Sequence, residues 1–122
     1  MPPSRLAACS AFAFAAGLAG LLPARATTTS DTVARGRALL SQYQCGACHS
    51  IPGVPSSRGE FAQALTGWRH RSYIAGRLPN RPDVLVRWIT DPQALVPGTR
   101  MPSMGVSPQD AQAMAAYLFS LD

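Results

Sequence analysis

Cys45-Gly46-Ala47-Cys48-His49 gathers two thiols and an imidazole within five residues. Two cysteines separated by two residues and followed at once by histidine form the C-x-x-C-H pattern through which a c-type haem is attached. The spacing has a geometric reason. The thiols must reach the two vinyl groups on one edge of a porphyrin, and two intervening residues allow a tight turn that presents both sulfurs together. The next residue then brings its imidazole under the iron. Gly46 and Ala47 are small enough for the backbone to turn close to the ring.

Neutral His49 supplies one axial nitrogen. A thioether can supply the other, in the Met/His arrangement that raises the reduction potential of electron-transfer haems. Soft sulfur favours the ferrous state over a hard oxygen ligand. The chain has four methionines. Met1 is the initiator, and Met114 belongs to the apolar face of a helix. Met101 and Met104 remain, both in the loop before that helix. Pro102 restricts Met101 to an extended backbone. A stiff segment loses less entropy on ligation, which favours Met101 over Met104.

These residues need helices to hold them. Val33, Gly36, Leu40 and Tyr43 fall on one helical face, predicting a helix over 32–43 with Ser30 or Asp31 as its cap. The segment 60–65 reads as a short helical turn, and 66–81 as loop with a turn near Tyr73 to Ala75. A second helix is predicted over 81–90, capped by Asn80 with Asp83 three residues on. Val84, Leu85, Trp88 and Ile89 form its apolar face, and Asp91-Pro92 stops it. The segment 94–106 reads as extended loop. Ser107, Pro108 and Asp110 make a strong helix start, followed by Ala111, Met114, Leu118 and Leu121 on one face with Tyr117 at its edge. No stretch alternates with period two. The fold class is therefore all-α: three main helices and long loops.

The first 26 residues read as a secretory leader. Arg5 gives a positive start, Leu6 to Leu22 is almost wholly apolar, and Ala24-Arg25-Ala26 has small residues at both cleavage positions. The alternative is an uncleaved membrane anchor, although the run is marginal for a span. A lipoprotein box at Cys9 is discounted because the apolar run follows that cysteine. Cleavage leaves one domain, 27–122, near the lower size for a self-sufficient core. A large cofactor would add the apolar contact that so short a chain lacks. Nine arginines against six acids give this part a net charge of +3, too weak a bias to argue for nucleic acid.

The chain resembles class I cytochromes c over Val33 to Leu121. The resemblance rests on C-x-x-C-H, on Pro97-Gly98-Thr99-Arg100-Met101-Pro102, and on Ala116-Tyr117-Leu118 in the last helix. Tyr73-Ile74-Ala75-Gly76-Arg77-Leu78-Pro79-Asn80 with Leu85-Val86-Arg87-Trp88-Ile89 is similar to a bacterial subgroup of small monohaem carriers. The resemblance implies loops wrapped around one covalently attached haem c. It implies His49 and Met101 as iron ligands, a close crossing of first and last helices with Gly36 against Tyr117, and an indole N–H from Trp88 on a haem propionate. One departure stands out. The family's Gly-Pro-x-Leu reads here Ala62-Gln63-Ala64-Leu65, so the carbonyl receiving the second N–H of His49 would belong to Gln63 rather than to a rigid proline.

Rival chemistries fit less well. A thioredoxin-like thiol enzyme would use Cys45 and Cys48, but it needs strands alternating with helices. Zinc held by Cys45, Cys48, His49 and His70 lacks the usual ligand spacing. His70 as a second axial ligand lies between Arg69 and Arg71, a surface-like setting. An open-site haem protein, peroxidase-like or gas-binding, requires that neither Met101 nor Met104 ligates iron. The expectation is a non-enzymatic, periplasmic one-electron carrier of the respiratory chain, with redox protein partners: a membrane oxidase, a reductase or a dehydrogenase. Membrane contact would come only through those partners or an uncleaved anchor. The arginines at 58, 69, 71, 77, 81, 87 and 100 could form a docking face for acidic partners.

Overall fold

The computed structural model describes Met1 and residues 27–122, so the rest of the segment read as a leader, with Cys9, lies outside the described residues. Four helices carry the fold: α1 (Thr29–Gln42), α2 (Pro82–Thr90), α3 (Pro92–Leu95) and α4 (Pro108–Leu118). Short 3-10 turns occupy Cys45–Ala47 and Trp68–His70, and a small hairpin pairs β1 (Tyr73–Ile74) with β2 (Leu78–Pro79). The all-α reading holds, with α1 and α2 both packed on α4. Among the described residues no helix is long and apolar enough to cross a membrane.

α1 starts earlier than its apolar spacing predicts. Thr28 is the cap rather than Ser30 or Asp31, and Asp31 completes a reciprocal capping box with it. These hydrogen bonds, side chain first, hold the Asp31 carboxyl below its ordinary range. α2 begins with Arg81 as cap residue, not Asn80. The Asn80 amide instead donates to the carbonyls of Trp68 (2.9 Å) and Arg71 (3.1 Å), tying the loop before α2 together. The start of α4 is as read, with Ser107 accepting from the Asp110 backbone.

Three other segments differ from expectation. Asp91 ends α2 but also caps α3 through Ala94 N–H, so the prolyl stop at Pro92 serves as a first helical residue. The segment 60–65 forms no helix. Its amides are spent outward: Ala62 donates to Cys48 (3.0 Å) and Leu65 to Ser50 (2.8 Å). The hairpin has two residues per strand, too few to show alternation. Its turn places Ala75 and Gly76 at φ +50° and +67°, free for glycine and costly for alanine.

The core unites Leu39 and Leu40 of α1, Leu85, Trp88 and Ile89 of α2, Ile74, and Ala111, Met114, Tyr117 and Leu118 of α4. Gly36 sits where α1 meets α4, and a Cβ there would overlap the carbonyl of Ala113. The close partner of Gly36 is thus the backbone of α4 rather than the Tyr117 ring. Tyr117 is itself buried, and donates its hydroxyl to the Pro52 carbonyl (2.6 Å). Asp110 adds a polar link, accepting from the Arg35 guanidinium and from the Tyr43 hydroxyl at 2.9 Å.

Two outcomes follow from this crossing. Gly36→Ala should cost about 1–3 kcal/mol, as overpacking does where backbones must part, read as a lower denaturant midpoint at unchanged slope. The hydrogen bond to Asp110 holds the Tyr43 phenol above its ordinary value of 10.0. A raised acid pKa gives stability that is complete below the unfolded value and lost as pH rises through the folded one. Tyr43→Phe should therefore be less stable than the parent at neutral pH, with the difference shrinking above about pH 10, as followed by urea unfolding across that range.

Candidate haem-attachment site

The Cys45–His49 segment hangs directly from the end of α1. The backbone N–H of Tyr43 closes that helix on Leu39, and Gln44 then turns the chain in the left-handed region at φ +58°. A single tight turn follows. The amides of Cys48 and His49 both donate to the Cys45 carbonyl, at 3.3 and 3.0 Å. Residues three and four apart on such a turn are neighbours, so Cys45, Cys48 and His49 are brought to one side. Cys45 and His49 are half-buried, and Cys48 is exposed. Both cysteines are free thiols.

The loop from Ser50 to Gly59 clasps this turn. Gly59 N–H donates to the Gly46 carbonyl (3.0 Å), and Ser50 bridges Arg58. Ser57 donates its hydroxyl to the His49 carbonyl (3.0 Å) and accepts from Ile51 N–H (2.5 Å). A Cβ on Gly46 would come within 2.7 Å of the Ser57 Cα, and one on Gly59 within 2.6 Å of the Ala47 carbonyl carbon. Side chains at either position would pry the loop from the turn. Sequence reasoning missed Ser57 and Gly59. Their only signal is a glycine and a serine among several in a loop.

His49 is oriented by the residue the sequence suggested. Its Nδ1 lies 2.7 Å from the Gln63 carbonyl. A carbonyl can only accept, so Nδ1 carries the proton and Nε2 keeps its lone pair. This is the arrangement expected of a metal-binding histidine steadied by a backbone acceptor. The proline that the chain lacks is offset by Arg71. Its guanidinium donates to the carbonyls of Ala64 and Thr66 and to the Gln63 side chain (3.1 Å), fixing the loop that offers the acceptor.

The remaining candidates separate by burial. Met101 is half-buried against the core, Met104 is 45 % exposed, and Met114 is fully enclosed in α4. Trp88 is buried in α2. A second indole, Trp68, was not singled out from the sequence. It is 5 % exposed, its Nε1–H has no acceptor among the described residues, and Arg71 stacks over its ring at 5.1 Å. His70 lies on the surface, 3.7 Å from the Asp122 carboxylate. Of the seven arginines considered for docking, Arg69 pairs with Asp122, Arg81 with Asp83, and Arg71 is engaged as described. Arg58, Arg77, Arg87 and Arg100 are exposed and make no ion pair among the described residues.

These residues suit haem c on chemical grounds. Two thiols and a histidine with its iron-seeking nitrogen available share one turn, a thioether lies in the core-facing loop, and a buried N–H lacks an acceptor. Burial pushes the Cys45 thiol up. That is the opposite of the depressed pKa that makes redox cysteines reactive, and it weighs against a thioredoxin-like use.

The family model described as cytochrome c matches residues 33–122. Among curated proteins the chain is 37% identical over 94 residues to cytochrome c oxidase subunit 2 of Alkalihalophilus pseudofirmus, covering 75% of this chain and 27% of that protein. It is 27% identical over 103 residues to cytochrome c oxidase subunit 2 of Bacillus sp. PS3, covering 80% of this chain and 29% of that protein. It is 30% identical over 87 residues to cytochrome c2 iso-2 of Magnetospirillum fulvum, covering 63% of this chain and 91% of that protein. The chain thus spans less than a third of the two oxidase subunits it matches. No solved structure matches it. A helical fold built around a C-x-x-C-H turn and matched from Val33 to the last residue places the chain in the cytochrome c family, whose members bind covalent haem c with its iron and work by haem-based electron transfer.

Proposed function

We propose that this chain is a periplasmic one-electron carrier with a single haem c, attached at Cys45 and Cys48 and ligated by His49 and Met101. The observation that carries the reading is the 2.7 Å contact between His49 Nδ1 and the Gln63 carbonyl. It supports Nε2 as the nitrogen left to ligate, on the turn that also carries Cys45 and Cys48. Residues 1–26 act as a cleaved leader, delivering the chain to a compartment where redox partners meet it.

The haem, when bound, supplies the reversible ferrous–ferric couple. The protein's own residues do the rest. Cys45 and Cys48 would hold the haem covalently through their sulfurs and so prevent its loss. His49, steadied by the Gln63 carbonyl at Nδ1, would hold the iron through its other ring nitrogen. Met101 donates a soft sulfur that favours the reduced state. Trp88, buried in α2, would offer its indole N–H to a propionate of the cofactor. Trp68, with an indole N–H in need of an acceptor, and Arg71 above it suit a carboxylate of the cofactor. A saturated iron needs no acid–base residue, which is the difference between a carrier and an enzyme here. Arg58, Arg77, Arg87 and Arg100 are available to steer acidic partner surfaces. Such partners would be a membrane complex or dehydrogenase on one side and a terminal oxidase or reductase on the other.

The exported protein should have the mass of residues 27–122 plus one haem, by mass spectrometry. A colourless product of polypeptide mass alone would overturn the reading. Met101→Ala should abolish the sulfur–iron charge-transfer band and let the reduced protein bind carbon monoxide, while Met104→Ala should do neither. Ready binding of carbon monoxide by the unaltered protein would favour an open-site haem protein instead.

A further inference from the structure

Met101 lies in an irregular segment, and such segments ordinarily wander. The side chain of Gln93, the second residue of α3, holds this one at three backbone groups. Its Nε2 donates to the Thr99 carbonyl (2.7 Å) and to the Met101 carbonyl (3.2 Å). Its Oε1 accepts from Gly98 N–H (3.1 Å). A carboxamide is the one side-chain group that offers two donors and an acceptor in a plane, and here all its roles but one lone pair are engaged by residues 98–101. Two further bonds reinforce the grip. Thr99 Oγ1 accepts from Met101 N–H (3.4 Å), and Asp91, which caps α3, accepts from the Ser103 hydroxyl (3.2 Å).

We propose that Gln93 is a positioning residue for iron ligation, its carboxamide clamping the 98–101 backbone so that the Met101 sulfur stays in its binding-competent place. The proposal rests on Met101 being the distal ligand. Gln93 touches no part of the cofactor in this role and acts only through the loop. A loop that is competent only part of the time binds its ligand more weakly by that fraction. Loosening it should expose the iron to outside ligands without changing which residue ligates. α3 follows α2 with only Asp91 between them, so the clamp is anchored to the buried face of Val84, Leu85, Trp88 and Ile89.

The test uses the haem-loaded protein and three substitutions that divide the carboxamide. Gln93→Ala removes donors and acceptor, Gln93→Glu keeps an acceptor but sets a carboxylate against two carbonyls, and Gln93→Lys keeps donors alone. Binding of imidazole and cyanide to the oxidised protein is the first readout. Gln93→Ala should bind them about tenfold faster, the loss of one to two net hydrogen bonds. Gln93→Glu should be at least as fast, and Gln93→Lys should fall between Gln93→Ala and the parent. Hydrogen exchange at the Gly98 amide is the second readout. It should accelerate in Gln93→Ala and Gln93→Lys but stay slow in Gln93→Glu. Exogenous-ligand rates within twofold of the parent in Gln93→Ala, or parent-like rates in Gln93→Glu, would overturn the clamp. Met101→Ala run alongside separates the failures: if it keeps the charge-transfer band, the ligand assignment falls, and the clamp's role in ligation with it.

Discussion

The backbone contact between α1 and α4 at Gly36 and Ala113 governs where everything else can lie. The Cys45–His49 turn has little structure of its own. It inherits its position from the end of α1, two residues beyond the Tyr43 cap. α1 in turn is placed by its approach to α4, which no side chain larger than hydrogen permits at position 36. Helix crossings are set by side-chain bulk at the contact, so the smallest residue in α1 fixes the attachment turn relative to the core. Asp110 reinforces the same crossing from its rim through Arg35 and Tyr43.

Two loops complete the arrangement, each fastened by polar contacts, the first also by burial of Ile51, Val54 and Leu65. The 50–65 loop is knitted to the attachment turn by Ser57, Gly59 and Ala62 and carries the Gln63 carbonyl to His49. Tyr117 and Arg37 fasten its Pro52–Gly53 corner, the first by its hydroxyl on the Pro52 carbonyl and the second by its guanidinium on the Gly53 carbonyl. The 97–103 loop is held by Gln93 and Asp91. Backbone groups in irregular segments must find partners somewhere. In a chain with 11 prolines and 10 glycines, much of that partnering falls to single side chains. Loops of this kind can carry an imidazole and a thioether while the helices stay rigid.

Charge follows the same division. Three of the arginines expected to face partners are engaged within the fold: Arg71 on the loop that carries Gln63, Arg69 on Asp122, and Arg81 on Asp83. The exposed remainder is smaller than a count of basic residues suggests, and more distinct for it.

The residue order alone supplied the C-x-x-C-H motif, the helical class, the apolar face of α2 and the start of α4. These depend on contacts within a few residues: the reach of two thiols, a 3.6-residue period, a serine followed by proline and aspartate. The family resemblance also pointed to Gln63, whose carbonyl stands where the family's proline carbonyl would. The tertiary structure alone decided which groups are left over after packing. Asn80 reads as a helix cap but is drawn to the carbonyls of Trp68 and Arg71. Gly36 meets a helix backbone instead of the expected aromatic ring. Trp68, which gave no signal in the sequence, is buried with an indole N–H that has no acceptor among the described residues. Gln93 gives no local signal, since a glutamine after Asp-Pro is unremarked until the chain folds back over it. Local spacing fixes what a segment can form. Which polar atom meets which partner depends on residues distant in sequence, and only the packed chain brings them within reach.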